Sequence, residues 1–136
     1  MKRILSLTID DAKKAAAACR AEADKQGWKV VIAVVDDGGH LMYLERIDGT
    51  QKASSDIAVA KARTAIMFKR PSLAFEEVVK AGRIAVMSLP GATTVEGGIP
   101  LVIEGEYVGA IGVSGVKSNE DAQVARAGAQ ALGSAI

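Results

Sequence analysis

The sequence predicts an α+β fold, with a largely antiparallel sheet packed between helices. Two pairs of short Val/Ile-rich segments, 29–46 and 99–114, are each joined by a Gly-containing turn. Residues 9–26, 51–68 and 119–133 carry helical signals instead. The resulting order is helix, hairpin, two helices, loop, hairpin, helix. Hairpin-linked strands with helices between them suit a sandwich rather than a parallel βαβ array. With 136 residues and 49% hydrophobic composition, the chain reads as a single domain over 1–136 with one core.

Thr8 stands before Ile9-Asp10-Asp11 as an N-cap, and its two following carboxylates suit the helix dipole. Ile9, Ala12, Ala16, Cys19 and Ala23 recur at spacings of three and four up to Gly27. That stripe is narrow and small, so the helix should lie close to a sheet. KVVIAVVD (29–36) then reads as a strand, Asp37-Gly38-Gly39 as a turn, and His40 to Arg46 as the returning strand. A two-residue turn puts Val31, Ala33 and Val35 on one face with His40, Met42, Leu44 and Arg46. It puts Val30, Ile32 and Val34 on the other with Leu41, Tyr43 and Glu45. Both faces are apolar at their centres and need cover.

A helix over 51–68 stops before Pro71, and Ser72 caps a shorter one to Ala81. Residues 82–98 read as the one long loop, with a short strand at Ile84 to Met87. Ile99–Ile103 and Tyr107–Ser114 form the second hairpin, in which Gly109 and Gly112 require a backbone or ligand close by. Ser118 is expected to cap the last helix.

A net charge of +1, and aromatics that do not interleave with a basic cluster, argue against nucleic acid as a partner. A lone Cys19 and a lone His40 argue against an internal disulfide and a Cys/His zinc site. The N-terminus lacks the apolar core of a signal peptide, and no apolar run reaches a membrane span, so the expected location is the cytoplasm. GAIGVSG (109–115) is neither a dinucleotide fingerprint, a P-loop nor a serine-hydrolase elbow.

Helix 51–68 is the informative one. Asp56 and Arg63 define a polar strip, while Ser54 and Lys61 lie almost opposite it among apolar residues. Lys61 either snorkels to solvent or a structural carboxylate, or it pairs with an anionic ligand. His40 is either an exposed turn histidine or an acid/base or metal ligand. Arg46 either pairs with Asp48 or binds an anion. Glu96 is a solvated loop acid or a base on a Gly-rich lid, with Gly97 and Gly98 free to bring amides to an anion.

The segments VVDDGGHLMYLERIDGT (34–50), AVAKARTA (58–65), GGIP (97–100), GEYVGAIGVSG (105–115) and EDAQVARAG (120–128) resemble the GlcG/HbpS family. This family is also described as haem-degrading or PduO C-terminal-like. The resemblance spans almost the whole chain. It implies a profilin-like sandwich with a central antiparallel sheet of about five strands, a homo-oligomer that is often octameric, and haem or a related tetrapyrrole as ligand. Its motifs fall on Val35–Gly39, Arg46–Gly49, Lys61–Ala65, Gly97–Pro100 and Asp121. Thr50 stands where the family usually has a small Ala, and Glu96 lies in a shortened loop.

Two functions are open on this reading. One is a binding protein for haem or another anionic ligand, with His40 or a loop residue at the metal and Arg46 or Lys61 on the carboxylates. The other is a small catabolic enzyme (a lyase, isomerase or hydrolase) acting on an anionic metabolite, with Glu96 or His40 moving protons. The expected site lies between the start of helix 51–68, the end of strand 40–46 and loop 88–98, near a subunit boundary.

Overall fold

The structure, a computed structural model, describes residues 1–136. Helix α1 spans Ile9–Gln26. The Thr8 hydroxyl accepts from the Asp11 N–H at 3.1 Å, and the Asp11 carboxylate accepts from the Thr8 N–H at 2.9 Å. Gly27, at φ 74°, ends the helix in the left-handed conformation that glycine tolerates. The buried stripe is Ala12, Ala15, Ala16, Cys19 and Ala23, whereas Ile9 is exposed. Burial pushes the Cys19 thiol up to about 12, so it packs as a small apolar group.

Strands β1 (Val31–Asp36), β2 (Leu41–Arg46), β3 (Gly98–Ile103) and β4 (Glu106–Ser114) form one antiparallel sheet in the order β2-β1-β4-β3. The sheet therefore has four strands rather than about five. Ile84–Ser88, read from sequence as a short strand, is a 3₁₀ turn. The β3 edge is closed to a further strand. Pro100 offers no N–H there, Ser72 bonds Gly98 through both its backbone N–H and its hydroxyl, and residues 134 and 135 bond Val102.

Helices α1 and α4 (Ser118–Ala131) cover one face of the sheet. Their alanines, with Cys19, meet Ile32, Val34, Leu101, Ile111 and Val113 in a 17-residue apolar cluster. Helix α2 (Ser54–Met67) covers the other face, against Val31, Ala33, Val35 and Ala110. It lies so close that a side-chain carbon on Gly112 would run into the Ala58 carbonyl oxygen, and one on Gly98 into that of Lys61. The approaching backbone expected at Gly112 is thus helix α2. Helix α3 (Leu73–Lys80) packs against the 3₁₀ turn, and its Phe75 meets Phe68, at the end of α2, edge to face at 4.9 Å.

Three local expectations change. Ser72 holds the N-cap position of α3 as expected, but its hydroxyl makes no capping bond; it donates to the Val95 carbonyl at 2.6 Å and accepts from the Gly98 N–H at 2.9 Å, stitching the long loop to the helix. Lys117, not Ser118, holds the N-cap position of α4, and its N–H donates to Glu120 at 3.3 Å. The first hairpin carries a register shift, so Val35 faces Leu41 rather than Met42. Its cause is the Asp36 carboxylate, which accepts the N–H groups of Gly38 and His40, both at 2.9 Å, and closes a turn wider than two residues. No helix is long and apolar enough to cross a membrane.

Candidate functional site

Lys61 leaves α2 into the interior and is 2% exposed. Its ammonium donates to the Asp121 carboxylate and to the Val113 carbonyl, each at 3.0 Å. The other Asp121 oxygen accepts from the Val116 N–H at 3.1 Å. Burial pushes the Asp121 carboxyl above 3.8, and the charge of Lys61 opposes that shift without cancelling it. Gly97 lies directly over the ammonium: a side-chain carbon there would sit 2.8 Å from Lys61 Nζ.

Ser54 is fully buried about two helical turns away, where it accepts from Ser114 Oγ at 3.0 Å and from Gln51 Nε2 at 2.9 Å. Both backbone groups of Gly98 and the carbonyl of Gly97 are bonded within the protein. The Gly98 N–H donates to Ser72, and the Gly97 carbonyl accepts from Val113. No buried side-chain polar atom lacks a partner. Lys61, Gly97 and Gly98 lie together, Ser54 sits further along the same helix face, and Asp121, which the helical wheel does not name, joins Lys61. What they form is a satisfied polar seam fastening α2 to β4 and α4.

The other sequence candidates lie apart from this seam. Arg46 is exposed at the far end of edge strand β2, and neither Asp48 nor any other carboxylate pairs with it. Glu96 is partly exposed on the α3 side, where its N–H donates to Glu76 at 3.2 Å. His40 is at the opposite end of β2 from Arg46, six residues away, or about 20 Å at strand rise. Lys61, Glu96 and His40 therefore do not converge on one reacting centre. No group of three or more His, Cys, Asp or Glu side chains is placed to hold a metal ion either.

His40 has the features of a ligand-facing group. Its side chain is 81% exposed, and Nδ1 lies 3.3 Å from Asp36 Oδ1, with Nε2 facing away from it. Burial pushes the Asp36 carboxyl up, but the N–H groups of His40 and Gly38, with the imidazole beside it, bring it below 3.8, so it stays a carboxylate at neutral pH. The last turns of α2 reach the same tip. A side-chain carbon on Gly39 would lie 3.4 Å from Arg63 Nε and 3.5 Å from Met67 Sδ. Leu41 and Met67 are both more than half exposed. Sequence reading noticed Arg63 only as part of a polar strip and passed over Met67. The direction in which α2 crosses the hairpin places both, and no local signal encodes it.

Comparison with known proteins agrees with this architecture. Protein GlcG of Escherichia coli is 44% identical over 114 residues, covering 84% of this chain and 85% of GlcG. A double mutant of HbpS from Streptomyces reticuli has a TM-score of 0.89 at 34% identity, with 97% of this chain and 90% of that one covered. A PduOC–haem complex has a TM-score of 0.85 at 25% identity, with 93% and 95% covered. The profile of the family described as "Haem degrading protein HbpS-like" matches residues 7–130, and the chain belongs to that family.

Proposed function

We propose that this protein binds haem or a related tetrapyrrole at the tip of the β1–β2 hairpin, with His40 as the metal ligand. The observation that carries this reading is the 81% exposed His40 imidazole, with Nδ1 turned toward Asp36 at 3.3 Å and Nε2 facing away from it. A histidine iron ligand is held by one nitrogen and oriented through the other, commonly by a carboxylate. The surroundings suit the group: Leu41 and Met67 offer apolar surface, and Arg63 offers a guanidinium for a propionate. Haem would supply the redox or ligand-binding chemistry. The chain's own residues hold and orient it. A relative crystallised with haem supports the choice of ligand.

None of the three main cavities is lined by His40, Leu41, Arg63 or Met67, so a flat ligand at the hairpin tip keeps one side open. A homo-oligomer, in which a second copy covers that side, completes the reading. The test is a hemin titration followed by the Soret band. Wild type should develop a shifted Soret band, and His40→Ala should weaken binding at least tenfold, about 1.4 kcal/mol. Equal affinity in the two proteins would move the site elsewhere.

A further inference from the structure

The two edges of the sheet are finished differently. Edge β3 is sealed at each outward position: Ser72 takes both groups of Gly98, Pro100 has no N–H, and Ser134 and Ala135 take both groups of Val102. Edge β2 has no such cover. The Ile47 N–H donates to the Val30 carbonyl at 3.1 Å, which fixes the alternation of the ladder. With Val31 opposite Arg46 and Ala33 opposite Leu44, the backbone groups of Leu44 and Arg46 point away from β1. No hydrogen bond from outside the sheet reaches a backbone group of residues 41–46. An unblocked edge of this kind pairs readily with another strand.

We infer that β2 pairs antiparallel with β2 of a second copy of this chain, joining two sheets across a two-fold axis and bringing the partner's Arg46 to the His40 turn. A self-pairing strand must match outward with outward residues, which leaves registers in steps of two. Charge then decides among them. Pairing Leu44 with the partner's Arg46 sets Glu45 against Glu45, and pairing Arg46 with the partner's Arg46 sets two guanidiniums together; like charges directly opposite are disfavoured. Pairing Arg46 with His40 is closed as well, because the His40 N–H donates to the Asp36 carboxylate and the His40 carbonyl accepts from the Asp36 N–H. The remaining register pairs Leu44 with Leu44 and sets the partner's Arg46 across from Met42, with no like-charge pair.

This register resolves the separation of Arg46 from His40 within one chain. The partner's Arg46 falls two residues from His40, about 8 Å away between backbones. An otherwise unpaired guanidinium then joins the imidazole in a site that one copy cannot complete. The shared site rests on the haem reading above; the pairing does not.

Light scattering and hemin titration test the two parts separately. Leu44→Pro removes an N–H that faces solvent in the monomer, so the fold should survive while pairing is lost. Leu44→Lys is the second variant, should proline disturb the strand. Wild type should be at least dimeric, and both folded variants should fall to half its mass or less. A monomeric wild type, or both variants at wild-type mass, overturns the pairing. His40→Ala and Arg46→Ala should each weaken hemin binding about tenfold or more. Mixing the two variants should recover part of the lost binding, because a mixed pair contains one intact site. No recovery on mixing overturns the shared site. A wild type that binds no hemin removes the haem reading, while the masses still decide the pairing.

Discussion

The two faces of the sheet are covered by different means. Under α1 and α4 the contact is dry and apolar: small side chains of the helices meet Ile32, Val34, Ile111 and Val113. Under α2 the apolar contact is thinner, and a line of buried polar groups (Ser54, Ser114, Lys61 and Asp121) runs through it. The first arrangement depends on volume and tolerates modest repacking. The second depends on each partner being present, since a buried ammonium or carboxylate without its counterpart is heavily penalised. The α2 face therefore fixes where one helix sits, and through it where Arg63 and Met67 meet the hairpin tip.

The largest expected effect follows from that difference. Asp121→Ala leaves the Lys61 ammonium buried with only the Val113 carbonyl, and should destabilise the fold by about 3–5 kcal/mol in urea denaturation. Lys61→Met combined with Asp121→Leu removes both charges and should recover most of the loss. If the single and double variants were equally destabilised, the pair would not be the element that holds this face.

A smaller effect is expected from packing. Gly112→Ala drives a carbon into the Ala58 carbonyl and to 2.6 Å from the Ala62 nitrogen, so α2 must lift. Its cost should be about 1–3 kcal/mol, with hemin binding at the hairpin tip weakened as well. Ile111→Val on the opposite face should cost about 0.5–1.5 kcal/mol and leave hemin binding alone. Equal binding losses in these two variants would break the link between the α2 face and the tip.

Much of this contrast was legible in the sequence, and the remainder was not, for identifiable reasons. The helical wheel isolates Lys61 on an inward face, and glycine inside a strand announces a close neighbour at Gly112. The wheel does not name Asp121, which reaches Lys61 from 60 residues away. The turn signal at Asp37-Gly38-Gly39 locates the hairpin, but the register shift depends on a side-chain acceptor, Asp36, that no hydrophobic pattern records. Gly97 and Gly98 read as a flexible lid; the structure shows them buried, because α2 and Lys61 occupy the space that side chains would need. The closing of the β3 edge likewise depends on distant groups, Ser72 and the C-terminal residues, arriving there.

The smallest expected effect separates the two faces by the sign of their pH dependence. Asp11, in the capping box of α1, is held below 3.8 by the Thr8 N–H and hydroxyl. Its contribution is present above that value and is lost as pH falls through the lowered one, because the unfolded chain binds the proton first. Asp121 is held above 3.8, so between 3.8 and its raised value the folded chain keeps a proton that the unfolded chain has released. Its contribution therefore declines as pH rises through that window. Asp11→Asn should cost no more than about 1 kcal/mol at neutral pH, since the group is screened by solvent, and the cost should shrink toward zero in acid. The stability gap between wild type and the Lys61→Met, Asp121→Leu variant should instead move in favour of wild type as pH falls. Denaturation midpoints across the acid range measure both. Parallel trends in the two variants would mean that the carboxylates sit in like environments, and the contrast between the faces would fail.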